Sequence, residues 1–145
     1  MTTRGEGLRA VETEISSLVR RVRRVIGERA NAVHPDLQGL SYLLLGWLGG
    51  QGPARASAMV EAFRIDKGAL SRQLQHLEEL GLVTRSPDPA DGRASLVDLT
   101  DDARLRLSQV DTEFRKITDE RLADWTVAEL DDLAARLRRY NDSLN

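Results

Sequence analysis

Apolar residues fall at Leu8, Val11, Ile15, Leu18, Val22 and Val25, a strict heptad spacing that predicts a long helix with a coiled-coil-like seam. Val19 and Ile26 widen the stripe, while Arg20, Arg21, Arg23 and Arg24 stand off it. Such a seam wants a partner surface, on its own domain or on a second chain. His34-Pro35-Asp36 ends the helix, because proline disfavours helical backbone at the residue before it. A short apolar helix over about Leu40 to Leu48 comes next, and the glycines of Gly49-Gly50-Gln51-Gly52-Pro53 are expected to stop it. A further short helix is expected from about Ala54 to Phe63, then a tight turn at Arg64-Ile65. Asp66 is an N-cap for a helix running to Leu80, and Gly81 is placed just past its end.

Beyond Gly81 the period changes from 3.6 to 2. Leu82-Val83-Thr84-Arg85 and Ser95-Leu96-Val97-Asp98-Leu99 read as two short strands. The turn formers of Ser86-Pro87-Asp88-Pro89-Ala90-Asp91-Gly92-Arg93 join them into a hairpin. Thr100 caps a long helix striped by Leu107, Val110, Phe114 and Ile117. Thr126-Val127-Ala128-Glu129 is a capping box for a last helix carrying Leu130, Leu133, Leu137, Tyr140 and Leu144. The expected fold is mainly α with a small β-hairpin, arranged as one domain over residues 1–145. Its centre, about 37–100, has the parts of a winged helix-turn-helix; helices at 7–34 and 101–145 flank it.

Two short helices and a hairpin in this order suit B-DNA, whose major groove is about 12 Å wide and admits one helix braced by another. On the Asp66–Leu80 wheel, Leu70, Leu74, Leu77 and Gly81 share one stripe. The other side supplies Lys67, Gly68, Ser71, Arg72, Gln75 and His76 as candidate DNA contacts. Gly68 is small enough to let the helix N-terminus approach a phosphate. Arg72 suits guanine or a phosphate, and Gln75 suits adenine. Glu79 sits too far along to read bases and repels phosphate.

Composition narrows the alternatives. The 145 residues fit one compact domain, and with six aromatic residues its core must be aliphatic. No apolar run approaches the roughly 20 residues of a membrane span. The segment Met1-Thr2-Thr3-Arg4-Gly5-Glu6 has no apolar signal core behind it, so a cytoplasmic location is expected. The absence of cysteine excludes disulfides, thiolate metal sites and thiol-based sensing. Two histidines, and no phosphate-cradling glycine loop or nucleophile–base pair, argue against an enzyme; no cofactor or metal is expected. The net charge of −2 gives no hint of nucleic acid. Residues 54–100 carry six basic and seven acidic side chains, which keeps open a protein-interaction module without DNA binding. Against that, Glu78, Glu79 and Asp98 are expected away from the groove face, whereas Arg72, Arg85 and Arg93 are expected on it.

The run from Asp66-Lys67-Gly68-Ala69-Leu70-Ser71-Arg72-Gln73-Leu74 to Leu77-Glu78-Glu79-Leu80-Gly81-Leu82-Val83 resembles the recognition helix of the MarR family of bacterial regulators. Arg85 to Arg93, followed by Leu99-Thr100, is similar to that family's wing signature of Asp-x-Arg, a strand, then Leu-Thr. The resemblance implies a sequence-specific DNA-binding regulator, a ligand-responsive repressor acting as a homodimer on a pseudo-palindromic operator. It places Arg93 in the minor groove or on its phosphates, with Asp91 orienting that guanidinium. It also implies a small aromatic or anionic effector in a crevice, for which His34, Tyr42 and Trp47 are the candidate lining. The first helix of the motif departs from the family: Val60 stands where a small Ala is usual, Arg64 where Gly is usual, and Arg55 near a usual Thr or Ser cap. Arg55 and Arg64 are then candidate extra phosphate contacts.

Overall fold

A computed structural model describes residues 1–144; Asn145, the last position of the expected domain, lies outside the described residues. In chain order the elements are α1 (Arg4–Val33), α2 (Gly39–Gln51), α3 (Ala56–Phe63), α4 (Lys67–Glu79), β1 (Val83–Asp88), β2 (Asp91–Leu99), α5 (Asp101–Arg121) and α6 (Val127–Asp142). The chain divides into two compact units, Met1–Val110 and Asp111–Asn145, with the boundary inside α5.

In the first unit, α1 begins with a capping box between Thr3 and Glu6 that the sequence reading did not include. Its seam residues Leu8, Val11, Leu18, Val19 and Val22 are all between 43% and 53% exposed, so most of the seam is uncovered in the single chain. The helix becomes buried only at Ala30 and Val33, where it meets α2. Arg106 of α5 donates to the Val33 carbonyl at 3.0 Å, satisfying one of the acceptors that a helix end leaves open. The core is aliphatic as expected: Leu44, Leu45 and Leu48 of α2, Met59 of α3, and Leu70, Leu74 and Leu77 of α4 are all buried. Each such side chain contributes roughly 1.5–3 kcal/mol by leaving water.

Three boundaries differ from the sequence expectation, each for a tertiary reason. The short apolar helix does not stop before Gly49-Gly50: α2 runs through both to Gln51 and ends where Gly52 turns to φ 83°. Gly49 faces Leu99 of β2, a Cβ there standing at an ordinary contact distance of 3.5 Å from Leu99 Cδ1, so packing against the hairpin supports the helix through this stretch. Ala54 is not helical; it forms an isolated bridge to Val97, with N–H···O distances of 3.0 and 2.8 Å. The strands also run further into the expected turn. Pro87 pairs with Ser95 and only Pro89-Ala90 separates the strands, with the register shifting between Pro87 and Asp88. Proline fits there because β1 is an edge strand, β2 being flanked by β1 and Ala54.

The helix-turn-helix follows the expected chemistry. Arg64 closes α3 in the left-handed region, at φ 48° and ψ 45°, and is the one non-glycine residue with positive φ among the described residues. That conformation costs a non-glycine residue about 1–2 kcal/mol. Arg64→Gly is therefore expected to raise unfolding stability by up to about 1 kcal/mol after the extra entropy of glycine is deducted. A higher urea midpoint at unchanged m-value would show it. Asp66 caps α4 by accepting from the Ala69 N–H at 3.1 Å. At the other end Leu82 N–H reaches Leu77 O and Gly81 N–H reaches Glu78 O, a Schellman closure with Gly81 at φ 70°. Thr100 fastens the start of α5, donating to Gly81 O and accepting from Ala103 N–H.

In the second unit, Thr126 and Glu129 form the expected capping box of α6. Their hydrogen bonds hold the Glu129 carboxyl below its ordinary value, as the corresponding pair does for Glu6 in α1. Leu130, Leu133 and Leu137 of α6 are exposed, and Tyr140 is half-buried.

Candidate nucleic-acid interface

The buried stripe Leu70, Leu74 and Leu77 fixes which side of α4 faces solvent. Lys67, Gly68, Ser71, Arg72 and Gln75 are exposed on that side. The helix is braced from behind by α3 and by a part-buried hydrogen bond from Ser41 Oγ of α2 to Gln73 Oε1, at 2.5 Å. At the N-terminal end a Cβ on Gly68 would stand 3.1 Å from Asp66 Oδ2 and 3.5 Å from an Arg72 guanidinium nitrogen. Glycine thus leaves room for the cap and lets Arg72 lie over the first turn. The charge of Arg72 and the outward N–H groups of the helix start gather at one place, a suitable geometry for an anion. Gln75 donates to Glu79 Oε1 at 3.4 Å, a long and weak tie.

Two other candidates are engaged inside the protein. His76 Nε2 lies 3.1 Å from the Asp36 carbonyl, turning the imidazole toward the segment before α2. Arg85 pairs through Nε with Glu78 Oε1, linking β1 to the end of α4. Glu78, expected away from the groove face, and Arg85, expected on it, are thus in contact, because helix and strand converge at the Gly81 turn.

On the wing, Asp91 Oδ1 accepts from the backbone N–H of Arg93 at 3.1 Å. Asp91 therefore shapes the backbone under Arg93 instead of gripping its guanidinium, which differs from the expected orienting bond. Arg93 is exposed, and with Arg85, Ser86, Gly92 and Ser95 it lines a shallow groove of 310 Å³ on the hairpin.

The sequence reading passed over Asp88. Its carboxylate is buried, accepts from the Ala90 N–H at 2.9 Å through Oδ1, and takes Arg55 Nε and Nη2 at 2.6 Å each through Oδ2. The Ala90 bond and then the Arg55 guanidinium hold it below the ordinary value of 3.8. The Asp-Pro pair signalled only a turn, and nothing local marks a partner 33 residues away.

The effector candidates are not gathered at one site. His34 closes α1 and accepts from the Asp36 N–H at 3.0 Å. Tyr42 is buried, with Arg29 Nη1 3.5 Å from its hydroxyl. Trp47 meets Phe63 edge to face at 6.1 Å and lines a 520 Å³ cleft whose lining includes neither His34 nor Tyr42.

The architecture has clear counterparts. The MarR family profile matches residues 36–94, which span the segment from the α1–α2 connection to the wing. An uncharacterised HTH-type transcriptional regulator of Bacillus subtilis, YxaD, is 32% identical over 131 residues, which cover 90% of each chain. Among solved structures, a probable transcriptional regulator from Pseudomonas aeruginosa superposes with a TM-score of 0.63 at 26% identity, covering 90% of this chain and 98% of that one. The fold is also that of a mutant MarR from Escherichia coli complexed with operator DNA: TM-score 0.70, 21% identity, coverage of 96% and 99%.

Proposed function

From the premise that the chain belongs to the MarR family of winged helix-turn-helix transcriptional regulators, we propose that it binds double-stranded DNA sequence-specifically as a homodimer and represses transcription. One observation carries this: Lys67, Gly68, Ser71, Arg72 and Gln75 line the free face of a helix whose other face is locked into the core. The E. coli MarR mutant of the same fold, solved on operator DNA, supports it. In this reading α4 enters the major groove with Arg72 and Gln75 toward base edges, while Lys67 and the helix start meet phosphate. Arg93 carries the wing to the neighbouring minor groove. Ser71 adds a backbone or base contact. Arg85 and His76 serve mainly to hold the reading helix, through Glu78 and the Asp36 carbonyl. No reaction is assigned to the chain, and its partner places it in the cytoplasm with the chromosome.

The exposed stripes of α1 and α6 supply apolar surface for a second copy, and two copies put two recognition helices in successive major grooves. Selection of genomic fragments by the protein, followed by hydroxyl-radical footprinting, is expected to show two protected half-sites about 34–36 Å apart. A single protected patch, or no enriched fragment, would remove the dimeric DNA-binding reading and favour a protein-binding winged helix. Leu18→Glu places a charge in the α1 seam. It is expected to shift sedimentation from dimer to monomer, raising the dimer dissociation constant at least about tenfold. A dimer of unchanged strength would place the interface elsewhere.

A small aromatic or anionic effector is also part of the proposal. Trp47 is its best-placed candidate, because of the three it alone lines the 520 Å³ cleft. Binding of such a compound would be read in a Trp125→Phe variant, where Trp47 is the single tryptophan, as quenching of its fluorescence together with release of DNA.

A further inference from the structure

We propose that Arg55 is a positioning residue for DNA binding: through Asp88 it latches the wing to the start of the helix-turn-helix and so sets where Arg93 meets the duplex. This rests on the DNA-binding reading above. The segment before α3 is strapped to the hairpin at two successive residues. Ala54 exchanges both backbone hydrogen bonds with Val97 of β2, at 3.0 and 2.8 Å. Arg55 then holds the end of β1 through the two 2.6 Å contacts to Asp88 Oδ2.

The latch sits where the hairpin most needs one. The strand register shifts between Pro87 and Asp88, a point at which a two-stranded ribbon is free to bend and twist. Asp88 is 8% exposed, so its carboxylate needs partners, and it has them on both oxygens: Ala90 N–H on one, Arg55 on the other. The first bond closes the turn and the second ties that turn to α3. Five positions further on stands Arg93, with its backbone fixed by Asp91. Losing Arg55 leaves a carboxylate short of a partner under the wing, so the wing must open to water. The Arg55 charge is already matched by Asp88, which sets it apart from Arg93 as a phosphate contact.

The test compares Arg55→Gln, Asp88→Asn, their double variant and Arg55→Lys in the full chain. Two quantities are read: hydrogen exchange of the amides of residues 90–95 in free protein, and affinity for the selected DNA as salt is varied. Each neutral single variant is expected to speed wing exchange, and to weaken DNA binding, by on the order of tenfold. The salt slope should stay unchanged, the double variant should be no worse than either single one, and Arg55→Lys should recover part of the loss. The proposal is overturned if Arg55→Gln leaves wing exchange unaltered and lowers the salt slope by about 0.9, the mark of a lost phosphate contact. It is equally overturned if the two single effects add in full. If wild-type protein selects no DNA, the DNA-binding reading fails and takes the positioning role with it. The exchange measurement separately decides whether Arg55 holds the wing. Helical circular dichroism confirms that each variant is folded.

Discussion

Leu74→Ala is expected to destabilise the protein by about 2–5 kcal/mol, enough to remove a large share of the stability of a domain this size. Leu74 has no solvent exposure and stands at the centre of the α4 stripe, flanked one turn away by the equally buried Leu70 and Leu77. Truncation deletes packed atoms and leaves a void that rigid helices cannot collapse into. The neighbouring polar tie, Ser41 to Gln73, is strained by any settling of the helix. Urea unfolding checks this: the midpoint should fall with the m-value preserved. Leu43→Ala serves as a contrast, because Leu43 is 41% exposed, and it should cost well under half as much. Equal losses at the two positions would mean that the α4 stripe is not the core that holds the reading face outward.

The second large effect concerns Arg72. Arg72→Ala is expected to weaken binding to the selected DNA by about 1–3 kcal/mol and to flatten the preference at one base pair per half-site. Gly68 is part of the reason: a Cβ there would stand 3.1 Å from Asp66 Oδ2, so glycine keeps the helix start open beside the Arg72 guanidinium. Gly68→Val should reproduce part of the loss, since its side chain would crowd Asp66 and Arg72. Arg93→Ala should behave differently, weakening all sequences alike and reducing the salt slope by about 0.9. Quantitative binding to a panel of single-base variants of the site separates the two patterns. Uniform weakening by Arg72→Ala would make Arg72 a phosphate contact.

Local chemistry carries much of the fold legibly. Asp66 before Lys67-Gly68, the leucine stripe and Gly81 state the beginning, the buried face and the end of α4. Thr126 with Glu129 does the same for the start of α6. What local pattern hides is set by contacts between distant residues. Gly49-Gly50 read as a stop, yet α2, packed along β2, continues through them and ends only at Gly52, where φ turns positive. Ala54 has ordinary helix propensity, but its backbone is claimed by Val97. Ser86-Pro87-Asp88 has a turn composition, and still extends β1 because an edge strand tolerates proline.

The candidate interface divides the same way. Side chains whose role follows from helix phase, namely Lys67, Ser71, Arg72 and Gln75, lie on the face expected of them. Those whose role depends on a partner elsewhere do not follow from phase. His76 is drawn to Asp36, Arg85 to Glu78, and Arg55 to Asp88, at separations of 40, 7 and 33 residues. Near-neutral charge has a similar explanation. Two arginines of the winged module, Arg55 and Arg85, are matched by acids inside it, while Arg72 and Arg93 stand exposed.

The central claim is sequence-specific DNA binding through α4 and the wing, and its most direct test is affinity for the selected duplex beside a scrambled one of equal length, from about 50 to 200 mM salt. The account predicts a preference for the selected duplex of at least about a thousandfold, with affinity for both falling steeply and linearly on logarithmic axes. Equal affinity for the two duplexes, or binding indifferent to salt, would contradict it.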